Sequence, residues 1–405
     1  MSPTSRGGPA AYLASRIRLG MKFGLETMHA LVEALGHPER RFPVLLVAGT
    51  NGKGSVVAYA AAALRASGLV AGRYISPHLV RVNERIAVGG REIGDRALWS
   101  AVAEVREAAE SLARAGALPA QPTYFEVLTA AAFVHFAARS VDVAVLEVGM
   151  GGRLDATNVT APAVSAIVTV ERDHEAYLGT TLGAIAGEKA GVLRPGRVTV
   201  LGPMSPEAVA AVAAVAAERG ARLAHADAEV EVRERPRGRV DLRTRRHLYR
   251  ALRPLPGAHQ RDNLAVAVRL LEEAQAAGVG LDLEAVAAGV DRTRWPGRLQ
   301  RLPGRPSLLV DGAHNPAAAR ALAAELRDGP PFVLVFGAMA DKDVAAMGRA
   351  LFPLARLVVL TRVPDARAAS PDEIVRRVGR AAAAARSAPT VGAAIARARR
   401  LAGAR

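Results

Sequence analysis

The sequence predicts an α/β protein of two domains, each built on a largely parallel sheet with crossover helices. Three observations carry that prediction. Runs of apolar, β-branched residues alternate with alanine-rich helical stretches along nearly the whole chain, the order that parallel sheets require. The apolar runs are too continuous to leave one face wet, as in strands covered by helices on both sides. The alternation breaks at Trp295-Pro296-Gly297-Arg298 and then starts again. Domains are therefore expected at 1–296 and 297–405, with a cleft between them, and 405 residues suffice for two cores.

Taken in order, Phe42–Gly49 reads as a buried strand and Ser55–Ala66 as the helix after it, stopped by Gly68. Val141–Gly149 and Val164–Val170 are further buried strands. Thr180–Val192 is helical, closed by the Arg194-Pro195-Gly196 turn, and Arg197–Leu201 is again a strand. Between Ala228 and Arg253 the pattern changes to strict alternation, as in Val230-Glu231-Val232-Arg233, which predicts short antiparallel strands with one exposed face. Leu264–Ala277 is a helix. The second domain is smaller and Rossmann-like: strand Ser307–Val310, helix Pro316–Leu326, strand Phe332–Phe336, helix Val344–Leu351, strand Arg356–Thr361 and a helix from about Pro371.

Composition narrows the chemistry. With no cysteine in the chain, disulfides, thiolate metal sites and cysteine nucleophiles are excluded. The formal charge is 54 − 38 = +16, which attracts anions. The basic residues are dispersed, however, and aromatics make up only 4% of the chain, too few for base stacking, so nucleic acid is not an expected partner. Residues 1–20 lack the apolar core of a signal peptide, and no apolar run approaches the ~20 residues that span a bilayer. A cytoplasmic monomer with no membrane association is expected.

The strongest local signal is Gly49-Thr50-Asn51-Gly52-Lys53-Gly54-Ser55. It leaves a buried strand and opens a helix, the setting of a P-loop ATPase-like phosphate cradle. There, glycines turn backbone N–H groups toward phosphate oxygens, the helix N-terminus adds partial positive charge, and Lys53 neutralises the terminal phosphates. The spacing is not that of an ordinary kinase or GTPase, because two residues separate the first glycines and Gly54 stands between lysine and hydroxyl. Glu147, at the end of the buried strand 141–149, lies where open α/β sheets place ligands. A carboxylate there suits Mg2+, which prefers oxygen; the other reading is an ion pair with Arg153. Lys189 late in its helix reads by itself as a charge complementing the helix C-terminus.

The loop Gly49–Ser55 resembles that of the Mur ligase superfamily, in its folylpolyglutamate synthase branch. Other blocks follow in that family's order: Ser76-Pro77-His78-Leu79 with Glu84-Arg85; Thr123-Tyr124-Phe125-Glu126 with Thr129; Glu147 through Asn158; Asp173-His174; Glu188-Lys189-Ala190-Gly191; His259-Gln260 with Asn263; Trp295 through Leu299; Asp311 through Pro316; and Asp341-Lys342-Asp343. Together they cover residues 20 to 345. Met150 stands where the family usually has leucine, and Glu171-Arg172 put charge where it more often has apolar residues.

This resemblance implies Mur ligase architecture and an ATP- and Mg2+-dependent amide ligase that adds L-glutamate to dihydropteroate, to folates, or to both, through an acyl phosphate. It further implies Ser76 and Glu147 as ligands of one metal ion. His174 and Lys189, the latter if carbamylated, would serve a second. Gly49, Thr50, Asn51, Gly52, Lys53, Gly54, Ser55, Asn263, Arg298 and Asp311 would hold ATP; Phe125, Arg153 and Asp155, with the Met21–Leu25 region, would hold the pterin. Lys53, Lys189, His174 and His314 would act in catalysis, His314 in a supporting place with helix capping as its other reading. Two rivals remain: a Mur-type ligase acting on a cell-wall UDP-sugar precursor, against which the Glu147–Asn158 block fits the folate branch better, and a nucleotide-binding module without ligase activity.

Overall fold

The structure is a computed structural model that describes residues 7–20 and 22–403. The chain forms two compact units, residues 1–254 with 261–294, and residues 255–260 with 295–405. Family-independent elements of the first unit are the strands β1 (Val44–Ala48), β2 (Ala71–Tyr74), β3 (Ile86–Val88), β4 (Arg91–Glu92), β5 (Val143–Glu147), β6 (Val164–Ile167), β7 (Val198–Leu201), β8 (Arg222–His225), β9 (Glu231–Arg235), β10 (Arg239–Arg243) and β11 (Leu248–Leu252).

Strands β1 to β8 form one sheet in the order β4-β3-β2-β5-β1-β6-β7-β8. From β2 to β8 every pairing is parallel; β3 and β4 extend one edge antiparallel. Every residue of β1, β5, β6 and β7 is buried, as the continuous apolar runs require of strands covered on both faces. β1 lies between β5 and β6, so the segments leaving the carboxyl ends of these three neighbours emerge side by side. That edge is where open α/β sheets bind ligands.

Local chemistry sets the ends of the helices that matter here. Thr181, whose hydroxyl accepts from the Ala184 N–H, starts the helix Leu182–Ala190. Thr123 and Glu126 form a reciprocal capping box at the head of the helix Tyr124–Ala138. The alternating segment folds into the antiparallel sheet β11-β10-β9. It is fastened to the helix His259–Ala276 by Glu272, fully buried, which accepts from Thr244 Oγ1 at 2.6 Å, from Tyr249 OH at 3.0 Å and from Arg269.

The second unit contains β12 (Gln300–Leu302), β13 (Leu308–Val310), β14 (Val333–Phe336), β15 (Leu357–Thr361) and β16 (Arg386–Ala388). β14, β15 and β16 pair in parallel in that order, with Leu360 and Phe336 among the residues of a core completed by the helices Val344–Leu351 and Pro371–Val378. The expectation that Ser307–Val310 opens this parallel alternation is corrected: β13 pairs antiparallel with β12 in a separate two-stranded sheet. The connection 303–307 is too short for a crossover of a dozen residues and can only make a hairpin.

Candidate functional site

The loop after β1 is tied to the segment after β6. Thr50 N–H donates to Thr169 O at 2.8 Å, and Asn51 N–H to Thr169 Oγ1 at 2.9 Å. Thr50 Oγ1 donates to Glu171 O and accepts from Glu171 N–H, both at 3.1 Å. Glu171 therefore serves the loop through its backbone N–H and carbonyl. Lys53 opens the helix Lys53–Ala66 and folds back, donating from Nζ to Gly49 O at 2.9 Å and to Thr50 O at 3.2 Å.

Gly52, the residue before that helix, has φ +84°, and a Cβ there would lie 2.2 Å from Asn263 Oδ1. Only glycine fits both the left-handed backbone and the close side chain. Buried Asn263 is thus brought against the loop by the helix His259–Ala276. Ser55 Oγ, on the first turn of the loop's own helix, is buried and has no hydrogen-bond partner.

Glu147 ends β5, next to this loop. It is buried and accepts from the Ser76 N–H at 3.1 Å. Arg73 stands on β2 opposite Val145, hence two residues upstream on the same sheet face. The ion pair between Glu147 and Arg153 is not what the structure contains: Arg153 Nη2 pairs with Glu188 Oε1 at 2.8 Å, half exposed.

The glycine-rich segment after Glu147 threads closely past the end of the helix Leu182–Ala190. Arg153 N–H donates to Glu188 O at 2.8 Å, and a Cβ on Gly152 would lie 2.7 Å from Lys189 O. Lys189 is 3% exposed, and its pKa falls to about 7. Burial disfavours its charged form most and the nearby Lys53 adds repulsion, against the opposing pull of Asp173 and Asp155. His174, in a left-handed conformation with φ 54°, heads the short helix Glu175–Leu178; its N–H donates to Asp173 Oδ1 at 2.9 Å.

Asp155 is buried and already saturated, accepting from Met150 N–H at 3.0 Å, Thr157 N–H at 3.0 Å and Thr157 Oγ1 at 2.6 Å. Burial raises its pKa. The Phe125 ring packs on the Gly149 backbone and faces the Tyr74 ring at 5.9 Å. Met21 lies outside the described residues; Lys22 beside it reaches Glu126 at 3.6 Å.

In the second unit, Arg298, Asp311 and His314 form a compact group of their own. Asp311 accepts from Leu299 N–H at 2.9 Å and Ala313 N–H at 2.8 Å, and a Cβ on Gly312 would lie 2.2 Å from Arg298 Nη1. His314 Nδ1 is 2.9 Å from Gly312 O, while the helix Pro316–Leu326 is capped by Asn315, so helix capping is not the work of His314. Sequence reasoning passed over the Thr169 hydroxyl, which ties down the phosphate loop. A lone threonine at a strand end gives no motif signal.

A nucleotide-and-metal reading fits these residues: an orphaned buried hydroxyl at Ser55, a glycine cradle, and a buried carboxylate on the adjacent strand. Among the described residues no group of three or more His, Asp or Glu side chains gathers in metal-binding geometry. A hard cation bound through one carboxylate, a hydroxyl and substrate phosphates needs no such group.

A family model for the Mur ligase middle domain matches residues 47–271, and one for the Mur ligase glutamate ligase domain matches residues 297–405. Fold and site together therefore define a Mur ligase. The Lacticaseibacillus casei folylpolyglutamate synthase is 37% identical over 373 residues, 89% of this chain and 86% of that protein. The structure of Escherichia coli FolC in complex with DHPP and ADP matches with a TM-score of 0.87 at 30% identity, covering 98% of this chain and 92% of that one. A bifunctional folylpolyglutamate synthase/dihydrofolate synthase with Mn, AMPPNP and L-glutamate bound gives 0.84 at 31%, covering 99% and 94%. The chain belongs to the folylpolyglutamate synthase/dihydrofolate synthase family of ATP-dependent glutamate ligases. These similarities support that branch over a cell-wall ligase and over a module without activity.

Proposed function

We propose that this enzyme accepts both dihydropteroate and folates, joining L-glutamate to a carboxylate of each at the expense of ATP and acting as a cytoplasmic monomer. The observation that carries the phosphoryl-transfer reading is the convergence, at the carboxyl ends of β5, β1 and β6, of the phosphate loop, the orphaned Ser55 hydroxyl and buried Glu147. In this reading residues 1–296 are the ATP-binding domain and 297–405 the glutamate-ligase domain. The loop residues Gly49 through Ser55 cradle the phosphates, and Lys53 exchanges the carbonyls of Gly49 and Thr50 for phosphate oxygens. Asn263 borders the nucleotide from its helix; Arg298 and Asp311 are assigned to nucleotide binding as well, with His314 supporting.

Magnesium, held by Glu147, Ser76 and a second set at His174 and Lys189, would neutralise charge on the transferring phosphoryl group. The protein's own share is positioning and fixed electrostatics. Lys189 with a pKa of about 7 is in substantial part neutral near physiological pH, the state in which an amine adds CO2. We propose that it is carbamylated: CO2 adds to the neutral amine with loss of a proton, leaving an anion where a cation would be repelled by the nearby Lys53. Rescue of Lys189→Ala by small carboxylic acids, and loss of wild-type activity in bicarbonate-free buffer, test this; indifference to both rejects it.

Phe125, Arg153 and Asp155 serve the pterin side, with different duties. Phe125 offers a ring face, Arg153 is half exposed and can reach an anion, and Asp155, saturated by the chain itself, shapes the loop. Phosphate release from ATP, measured with L-glutamate and either dihydropteroate or tetrahydrofolate, tests the proposal. Release with each acceptor establishes both activities, and release with one alone refutes dual use.

A further inference from the structure

The carboxyl edge of the second unit's sheet carries a device that no part of the reaction described so far uses. The segments leaving the adjacent parallel strands β14 and β15 are zipped together. Met339 and Ala368 form an antiparallel bridge. Ala340 N–H donates to Arg367 O at 2.7 Å, and Ala369 N–H to Ala338 O at 3.0 Å. Lys342 N–H donates to Met339 O at 3.2 Å, closing a turn, and Asp343 caps the helix Val344–Leu351. At the carboxyl end of β15 the Thr361 hydroxyl is buried and lacks a hydrogen-bond partner.

One side chain fastens this rim from behind. Arg377, in the last turn of the helix Pro371–Val378, donates from Nη1 to Ala340 O at 2.8 Å and from Nη2 to Lys342 O at 2.6 Å. A guanidinium is a planar fork of fixed geometry, so gripping two carbonyls two residues apart fixes the orientation of the intervening peptides. Glu373, one turn earlier, holds the fork itself at 3.4 Å. The Arg377 side chain is mostly buried, at 30% exposure, and its bonds go to loop backbone where a purely surface arginine would contact water.

We propose that Arg377 is a positioning residue for the incoming amino acid, acting through the loop Ala338–Lys342 that it clamps. The inference rests on the reading that this unit supplies the glutamate side of the ligation, as the matched glutamate ligase domain indicates. The rim suits an amino dicarboxylate: it lies where open sheets bind ligands, carries the basic residue Lys342, and follows a strand that ends on Thr361, whose buried hydroxyl lacks a partner. Without the clamp the loop samples other orientations, and the amino acid meets its site in only a fraction of molecules. Apparent affinity then falls by that fraction, while chemistry in the bound complex is spared.

The test is steady-state kinetics on the full chain with each substrate varied in turn, alongside hydrogen exchange. Arg377→Ala is expected to raise the KM for L-glutamate about tenfold, the loss of one or two charge-assisted hydrogen bonds, with kcat and the KM for ATP changed less than about twofold. Arg377→Lys, which keeps one bond, should recover part of the loss. Amides of residues 339–342 should exchange faster in Arg377→Ala while β14 and β15 stay protected. An unchanged glutamate KM in Arg377→Ala, or equal damage to every kinetic constant in Arg377→Lys, overturns the inference. A wild-type enzyme that turned over ATP with no requirement for L-glutamate would instead overturn the functional reading beneath it, and the exchange result would still decide whether Arg377 holds the loop.

Discussion

The two units place polar loops at the carboxyl ends of parallel strands, but they treat charge in opposite ways. At the edge of β5-β1-β6 the working groups are desolvated: Glu147 and Lys189 are buried, and Lys189 is driven toward neutrality. At the edge of β14-β15 the charged residues Asp341, Lys342 and Asp343 are half-buried to exposed, and the loop is held by backbone zipped to backbone and by the Arg377 fork on its carbonyls. The difference follows the chemistry asked of each. Phosphoryl transfer gains from charges fixed in a low dielectric, where each is worth more. On the proposed reading, capturing a small, flexible amino dicarboxylate gains from a pre-shaped rim that water can still reach, since full desolvation of its carboxylates would cost more than pairing returns.

The largest losses are expected from the first edge. Lys53→Met should lower kcat on the order of 100- to 1000-fold, as expected when one fixed cation facing a transferring group is removed. Phosphate release measures it, and a loss confined to KM would place Lys53 in binding alone. Glu147→Gln keeps size and hydrogen bonding but removes the charge. It should raise the Mg2+ concentration needed for half-maximal rate by at least the roughly 10- to 100-fold that loss of a supporting partner costs a metal site.

Gly52→Ala sharpens the contrast further, because it removes no charge and acts through backbone strain and crowding alone. The left-handed conformation costs about 1–3 kcal/mol for a residue with a Cβ, and Asn263 must also move aside. Nucleotide affinity should fall, and Gly52→Ala with Asn263→Ala should be less than additive, because the second change removes the obstacle the first collides with. Equilibrium nucleotide binding checks both.

The pH behaviour of Lys189 gives a smaller effect with a definite sign. Its pKa is lowered from 10.5 in the unfolded chain to about 7 in the folded one. Below about pH 7 both states hold the proton, and the buried charge destabilises the fold in full. Between there and 10.5 the unfolded chain binds more protons, so stability rises with pH. Denaturant unfolding in CO2-free buffer should show wild type gaining stability over Lys189→Met between pH 7 and 9, and parallel profiles would contradict the burial argument. At the other extreme stands Arg243→Ala on the exposed sheet β11-β10-β9. Its ion pair with Glu231 spans 3.8 Å in open solvent, so unfolding free energy should change by no more than about 1 kcal/mol.

Much of this molecule is legible in its sequence because the signals are local. A buried parallel strand must be apolar throughout, so β1, β5, β6 and β7 announce themselves, and a glycine-lysine turn between strand and helix announces the phosphate loop. Edge elements are quieter. The short strands β3 and β4 carry no such run, and they went unanticipated. β13 was read as a strand but placed in the wrong sheet, since an apolar triplet does not state its partner.

The candidate site divides along the same line. Sequence alone determined which residue types leave which strand ends: the loop Gly49–Ser55, Glu147, His174, and Lys189 near the end of its helix. Only the tertiary structure decided what each of them meets. It brought Asn263 against Gly52 from 211 residues away, paired Arg153 with Glu188 where an ion pair with Glu147 had been the alternative reading, held Asp155 within its own loop, and buried Lys189 near Lys53. The physical reason is that propensity and periodicity act over a few neighbours along the chain, whereas desolvation, ion pairing and close backbone approach depend on distance through space, which packing alone sets.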